Sequence, residues 1–194
     1  SKKIRIDFIC SFFDLESLNL AKKIGVDAYK VASSDINDDY LLSHLKTVNK
    51  PIIISTGMAS LKDIKNAVKI LKNKKICILH CVSMYPCPLN FANLKRISTL
   101  KRKFKVPIGY SDHCKGIQAS QQAIFLDSLV VEKHFTIDKN QKGADHGLSA
   151  DYNDLKQIID FANNFKSYLG QGKIEPSKKE SNYRKFFRKS LYFN

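Results

Sequence analysis

The sequence has no tryptophan, five prolines and eight glycines among 194 residues, and its 18 acidic side chains are outnumbered by 33 Lys and Arg. Too little Gly and Pro is present for a collagen-like or low-complexity chain. The five cysteines, Cys10, Cys77, Cys81, Cys87 and Cys114, are odd in number and form no C-x-x-C pair, which argues against a disulfide framework or a structural zinc site. No apolar run approaches the roughly 20 residues of a membrane-spanning helix. The opening Ser1-Lys2-Lys3-Ile4-Arg5-Ile6-Asp7 carries no apolar block like that of a signal peptide. No glycine-rich phosphate loop is present, which argues against ATP or NAD. These absences predict a soluble, cytoplasmic protein with no membrane association.

What is present is ordinary globular material, 43% apolar and 26% charged, enough for one sizeable core. The net charge of +15 is compatible with an anionic partner. The lysines, however, scatter over the predicted outer faces of helices (Lys22, Lys23, Lys46, Lys62, Lys65, Lys69, Lys72). With no nucleic-acid reader motif, they read as a solvated surface rather than a nucleic-acid interface.

Apolar, β-branched runs recur at Ile4 to Cys10, Ala28 to Ala32, Pro51 to Ile54, Ile76 to Cys81, Val106 to Tyr110 and Leu129 to Glu132. Between them lie helical periodicities, among them Leu15-Leu18-Ala21-Ile24 and Leu61-Ile64-Val68-Leu71; a last one, Leu155-Ile158-Ile159-Ala162-Phe165, follows the sixth run. Strands that are apolar throughout are buried on both faces, and parallel neighbours need crossover helices, so the pattern predicts an α/β parallel sheet. A repeat of roughly 24 residues suits a TIM (β/α) barrel, and six units are two short of the eight that close one. The barrel core is expected over residues 1–170. Residues 171–194, polar and then mixed basic and aromatic, read as a linker toward a further domain.

Active sites of parallel α/β folds gather where strands end. His113 and His134 close consecutive strands roughly 4.8 Å apart, so both imidazoles could reach one ion, with Asp112 nearby. His80 reads as structural, and His44, in a helix, as surface. Lys30, Ser33, Ser55 and Ser111 bring an ammonium and three hydroxyls together, as a small phosphorylated or carboxylated ligand requires. Serines at strand ends also cap helices, which is the alternative for Ser55 and Ser111. A lysine inside a buried strand needs a counter-charge or a Schiff-base role, and Lys30 is such a lysine.

The segments Phe13-Asp14-Leu15-Glu16-Ser17, Tyr29-Lys30-Val31-Ala32-Ser33, Ser55-Thr56-Gly57-Met58, Leu79-His80-Cys81, Tyr85-Pro86, Gly109-Tyr110-Ser111-Asp112-His113, Glu132-Lys133-His134-Phe135-Thr136 and Gly143-Ala144-Asp145-His146 resemble, in order, the motif series of the sialic acid synthases. The resemblance implies a TIM-barrel transferase that condenses phosphoenolpyruvate (PEP) with an N-acetylated aldose, giving a nine-carbon 2-keto sugar acid and releasing phosphate. It implies a divalent ion, Mn²⁺ or Mg²⁺, on His113 and His134. By the same resemblance Lys30, Ser33, Ser55 and Ser111 grip PEP, with Ser11 where the family usually has Thr. Tyr85 and Asp145 match sugar-contacting positions, Ser83 a variable one. Asp35 stands where the family generally has a catalytic Glu.

The resemblance begins at the family's third barrel strand and stops before its antifreeze-like C-terminal domain, which bridges a homodimer. Two alternatives accompany it. One is a catalytically incomplete fragment that binds metal and PEP only; the other is a Schiff-base aldolase using Lys30. Asp145-His146 leans toward a sialic or legionaminic precursor over a pseudaminic one.

Overall fold

The computed structural model describes residues 5–189. Six strands, β1 (Ile9–Ser11), β2 (Ala28–Val31), β3 (Ile52–Ser55), β4 (Ile76–Cys81), β5 (Ile108–Asp112) and β6 (Val131–Lys133), form one parallel sheet in the order β1-β2-β3-β4-β5-β6. Helices α1 (Leu15–Ile24), α2 (Asp39–His44), α3 (Leu61–Ile70), α4 (Lys95–Lys103) and α5 (Gln118–Phe125) are the crossovers. When every crossover steps to the next strand with the same right-handed sense, all helices fall on one face of the sheet. A doubly wound sheet reverses its order and is covered on both faces. The unbroken order therefore makes this a partial (β/α) barrel, with six of eight units and the helix-free face as its lumen.

Side-chain parity separates the two faces. Tyr29, Val31, Ile52, Ile54, Ile76, Ile78, Ile108 and Tyr110 point outward into the main core. There they share one cluster with Leu18 and Ala21 of α1, Ile64 and Ala67 of α3, Ile97 and Leu100 of α4 and Ala119 and Ala123 of α5. Burying each large aliphatic side chain contributes about 1.5–3 kcal/mol. The intervening positions, Ser11, Lys30, Ser55, Cys81, Ser111 and Glu132, point into the lumen.

Local signals fix the helix ends. Asp14 and Ser17 form a capping box at α1, Ser60 and Asp63 another at α3. Helix α1 stops at Gly25, whose φ of 77° is the left-handed conformation glycine adopts at little cost.

The first strand is shorter than its apolar run. Ile4 lies outside the described residues, and Ile6 and Phe8 are exposed. Strand β1 has β2 as its one paired neighbour among the described residues, and β2 begins at Ala28, opposite Ile9. Behind that rung the Asp27 amide donates to the Phe8 carbonyl at 2.8 Å, and among the described residues no ladder pairing precedes Ile9.

The described chain divides into two compact units, one ending at Asn163 and the other beginning at Asn164. Helix α6 (Tyr152–Leu169) runs through that boundary, and α7 (Lys178–Phe187), capped by the Ser177 hydroxyl, lies in the second unit, where the sequence read as linker. The end of that stretch, 190–194, lies outside the described residues.

Candidate active site

The carboxyl ends of the strands line a cavity of about 450 Å³. Its wall is a set of register partners. Ser11 lies opposite Lys30 across β1 and β2; Cys81, Ser111 and Glu132 lie side by side across β4, β5 and β6. Strand-end residues complete the cavity: Ser33, Ser83, Tyr85, His113 and His134. Each of these residues that the sequence proposed for the site, from Ser11 to His134, thus meets the others in one place.

Two sequence-proposed residues stand apart from that lining. Asp145 lies beside it, with Oδ2 3.6 Å from His134 Nδ1. Asp35 ends a short 3-10 turn over Ser33–Asp35, and its carboxylate accepts a hydrogen bond from the Ser34 hydroxyl at 3.0 Å.

Lys30 is buried, and its ammonium lies 3.6 Å from Glu132 Oε1. The same carboxylate oxygen accepts a hydrogen bond from Ser111 Oγ at 2.7 Å. The counter-charge that a buried lysine demands is therefore Glu132, which motif reading passed over. Parity could have found it, because Glu132 lies two residues before His134 and so on the same face. Ser55 Oγ is buried and has no hydrogen-bond partner among the described residues. Ser33 Oγ accepts the Gly57 amide hydrogen at 2.9 Å. A Cβ on Gly57 would lie 2.1 Å from Ser83 Oγ and 2.8 Å from Ser33 Oγ, so a larger residue there would push both hydroxyls out of their present positions.

The His113 and His134 rings lie 5.3 Å apart, centroid to centroid, and Tyr85 packs on His113 at 4.1 Å. The His113 Nδ1 hydrogen goes to the Val82 carbonyl at 3.0 Å, which leaves the Nε2 lone pair available. Burial alone would lower the His113 pKa, but the neighbouring Cys81 sulfur and the Val82 carbonyl outweigh it and the net shift is upward. Cys81 moves down: its own burial opposes ionisation, yet contacts with His113, Ser33 and Ser111 prevail. Burial lowers the pKa of His134.

Asp112, adjacent in sequence to His113, does not join the histidines. Strand alternation turns its fully buried carboxylate to the outer face, where it meets Lys133 and Ser120. His80 also faces outward, with Nε2 2.8 Å from the Ala92 carbonyl, and burial lowers its pKa. His44 is half-buried on α2, beside the Tyr40 ring and carbonyl.

The NeuB family model matches residues 1–174. The chain belongs to the NeuB family. It is 40% identical to the N,N'-diacetyllegionaminic acid synthase of Campylobacter jejuni over 98% of this chain and 59% of that protein. It is 36% identical to a pseudaminic acid synthase of the same species, over 93% of this chain and 53% of that protein. Among solved structures it superposes on the N-acetylneuraminic acid (sialic acid) synthetase of Leptospira borgpetersenii, determined in complex with citrate. That match has a TM-score of 0.86 and 38% identity, and it covers 98% of this chain and 68% of the other. The chain thus spans a little over half the length of the curated NeuB relatives it matches.

Proposed function

We propose that this NeuB-family chain supplies the active-site barrel of an enzyme that condenses PEP with an N-acetylated aldose, N-acetylmannosamine or a related bacterial sugar. The product is a nine-carbon 2-keto sugar acid, with phosphate released. The observation that carries the reading is a buried ammonium, Lys30, beside an unpartnered buried hydroxyl, Ser55, in a cavity that opens on two imidazoles. An orphaned hydroxyl beside a buried cation fits an anionic ligand that both can bind.

In this reading Lys30, Ser55, Ser33, Ser111 and Ser11 hold the phosphate and carboxylate of PEP, fixing its C3 toward the aldehyde. Tyr85, Asp145 and Ser83 contact the sugar. A new C–C bond forms between PEP C3 and the aldehyde carbon. Water adds at C2, and the tetrahedral adduct collapses with cleavage of the C2–O bond to phosphate. The cationic cradle stabilises the departing charge. Glu132, or Asp35 across a longer reach, accepts the proton from that water.

The histidines suit a divalent ion. His113 Nδ1 is committed to a carbonyl, and both rings face the cavity. No group of three or more His, Cys, Asp or Glu able to hold a metal occurs among the described residues, so oxygen ligands from substrate or water would complete the set. Mn²⁺ or Mg²⁺ bound there supplies Lewis-acid polarisation of the aldehyde oxygen.

The aldolase alternative is weaker, because the two imidazoles that line the same cavity have no work in a Schiff-base mechanism. The test is phosphate release from PEP with Mn²⁺ and each candidate aldose in turn. Release that requires both metal and aldose is expected. PEP and Mn²⁺ binding without release would leave the binding-only alternative, and borohydride trapping of a keto acid on Lys30 would favour the aldolase.

A further inference from the structure

Behind the two histidines lies a buried ion pair that the proposed chemistry does not use. Asp112 and Lys133 are register partners of β5 and β6, with Oδ2 and Nζ 3.1 Å apart and side chains 0% and 4% exposed. They face the helices, one residue before His113 and His134 respectively. The preceding rung, Ser111 with Glu132, is hydrogen-bonded on the lumen side. Lys133 reaches further and also donates to the Cys114 carbonyl at 2.6 Å. Asp112 accepts from the Cys114 amide at 2.8 Å and from Ser120 Oγ of α5 at 2.6 Å. One ammonium therefore grips the chain on both sides of His113, from the strand that carries His134.

The energetics make this pair unusual. A buried ion pair contributes little net stability, because desolvation offsets most of the attraction, so apolar residues would serve the fold equally well. What it supplies is direction. Strand β6 has three residues and pairs with β5 alone among the strands of the described residues. Past its end the backbone is held by one further bridge, in which the Ala150 amide donates to the His134 carbonyl at 2.8 Å, and neither contact fixes where the His134 side chain points relative to His113. We infer that Asp112 and Lys133 are positioning residues that hold the His113 and His134 imidazoles at their mutual spacing, and so set the affinity of the metal site. The metal clause rests on the reading above; the spacing clause does not.

The test uses Lys133→Met and the double variant Asp112→Asn/Lys133→Met in the full chain. The single variant strands a buried carboxylate and is expected to lose stability. The double variant removes both charges and is expected to unfold cooperatively near the parent midpoint. Two readouts follow. Mn²⁺ affinity, measured by the electron spin resonance of free Mn²⁺, should fall on the order of 10- to 100-fold, as it does when the outer partners of metal ligands are removed. In metal-free protein, the nuclear Overhauser contact between the His113 and His134 rings should weaken or vanish.

A double variant that keeps both the ring contact and the parent affinity overturns the inference. So does one that no longer folds, since the pair would then be a folding determinant. If the parent itself fails to bind Mn²⁺, the metal reading falls, and the ring contact alone decides whether the pair positions the histidines.

Discussion

Ser55 shows how a single atom separates binding from folding. Its hydroxyl is buried without a partner, a state that costs the folded protein about 1–3 kcal/mol of desolvation unless a ligand answers it. Removing the hydroxyl should therefore leave stability unchanged or raise it. Ser55→Ala is expected to unfold at the parent denaturant concentration or slightly above it. Its PEP affinity, read by calorimetry, should fall by about 5- to 10-fold, the worth of one hydrogen bond of roughly 1 kcal/mol or a little more. Equal losses in stability and affinity would mean that the hydroxyl serves the fold and not the ligand. The same residue marks a limit of sequence reading. Motif and strand position identify Ser55 as a lumen residue, but that it lacks a partner follows only from its packing. Glu132 was hidden for the complementary reason, since its role comes from Lys30, about 100 positions away in sequence and close only across the lumen.

Strand β5 carries the centre of the site, and its packing leaves little slack. Gly109 lies on the lumen side between β4 and β6, where an added Cβ would meet Leu79 Cδ2 at 2.4 Å and the Val130 carbonyl oxygen at 2.6 Å. A backbone oxygen cannot rotate away as a side chain can. Gly109→Ala should destabilise the chain by about 1–3 kcal/mol and displace Ser111 and His113 further along the strand. Denaturant unfolding and Mn²⁺ binding would both register it, and a variant as stable as the parent would mean that β6 yields easily. At this scale the sequence was readable, because element type follows from periodicity: the helical stripes from Leu15, Leu61 and Leu155 fall on α1, α3 and α6, and the strand runs after the first fall on β2 to β6 within a few residues. The start of β1 was not readable, since a strand's length depends on its neighbour's ladder as well as on its own apolar residues. The turn of Asp112 away from its neighbour His113 follows from alternation alone, and needed only the correct strand end to be foreseen.

For the whole molecule, two long-range features oppose each other. The sheet has an edge at β1 and another at β6, each with one paired neighbour among the described residues, and apolar side chains such as Ile9, Phe13, Leu129 and Phe135 are exposed near them. Such edges template association with other chains. Against this stands the net charge of +15, which makes copies of the chain repel one another. The repulsion reaches about 30 Å at 0.01 M salt but only about 8 Å at 0.15 M, whereas edge pairing and apolar contact act at van der Waals range and are not screened. Salt should therefore tip the balance toward association. Light scattering coupled to gel filtration is expected to show a smaller species at low ionic strength and a larger one as salt is raised. A charge-reversing pair of surface changes, Lys65→Glu with Lys69→Glu on the outer turns of α3, lowers the net positive charge and should shift that transition to lower salt. Substituting Phe13 and Phe135 by serine should instead suppress association at every salt concentration. Association that ignores salt and responds only to the aromatic changes would mean that surface charge has no part in keeping the copies apart.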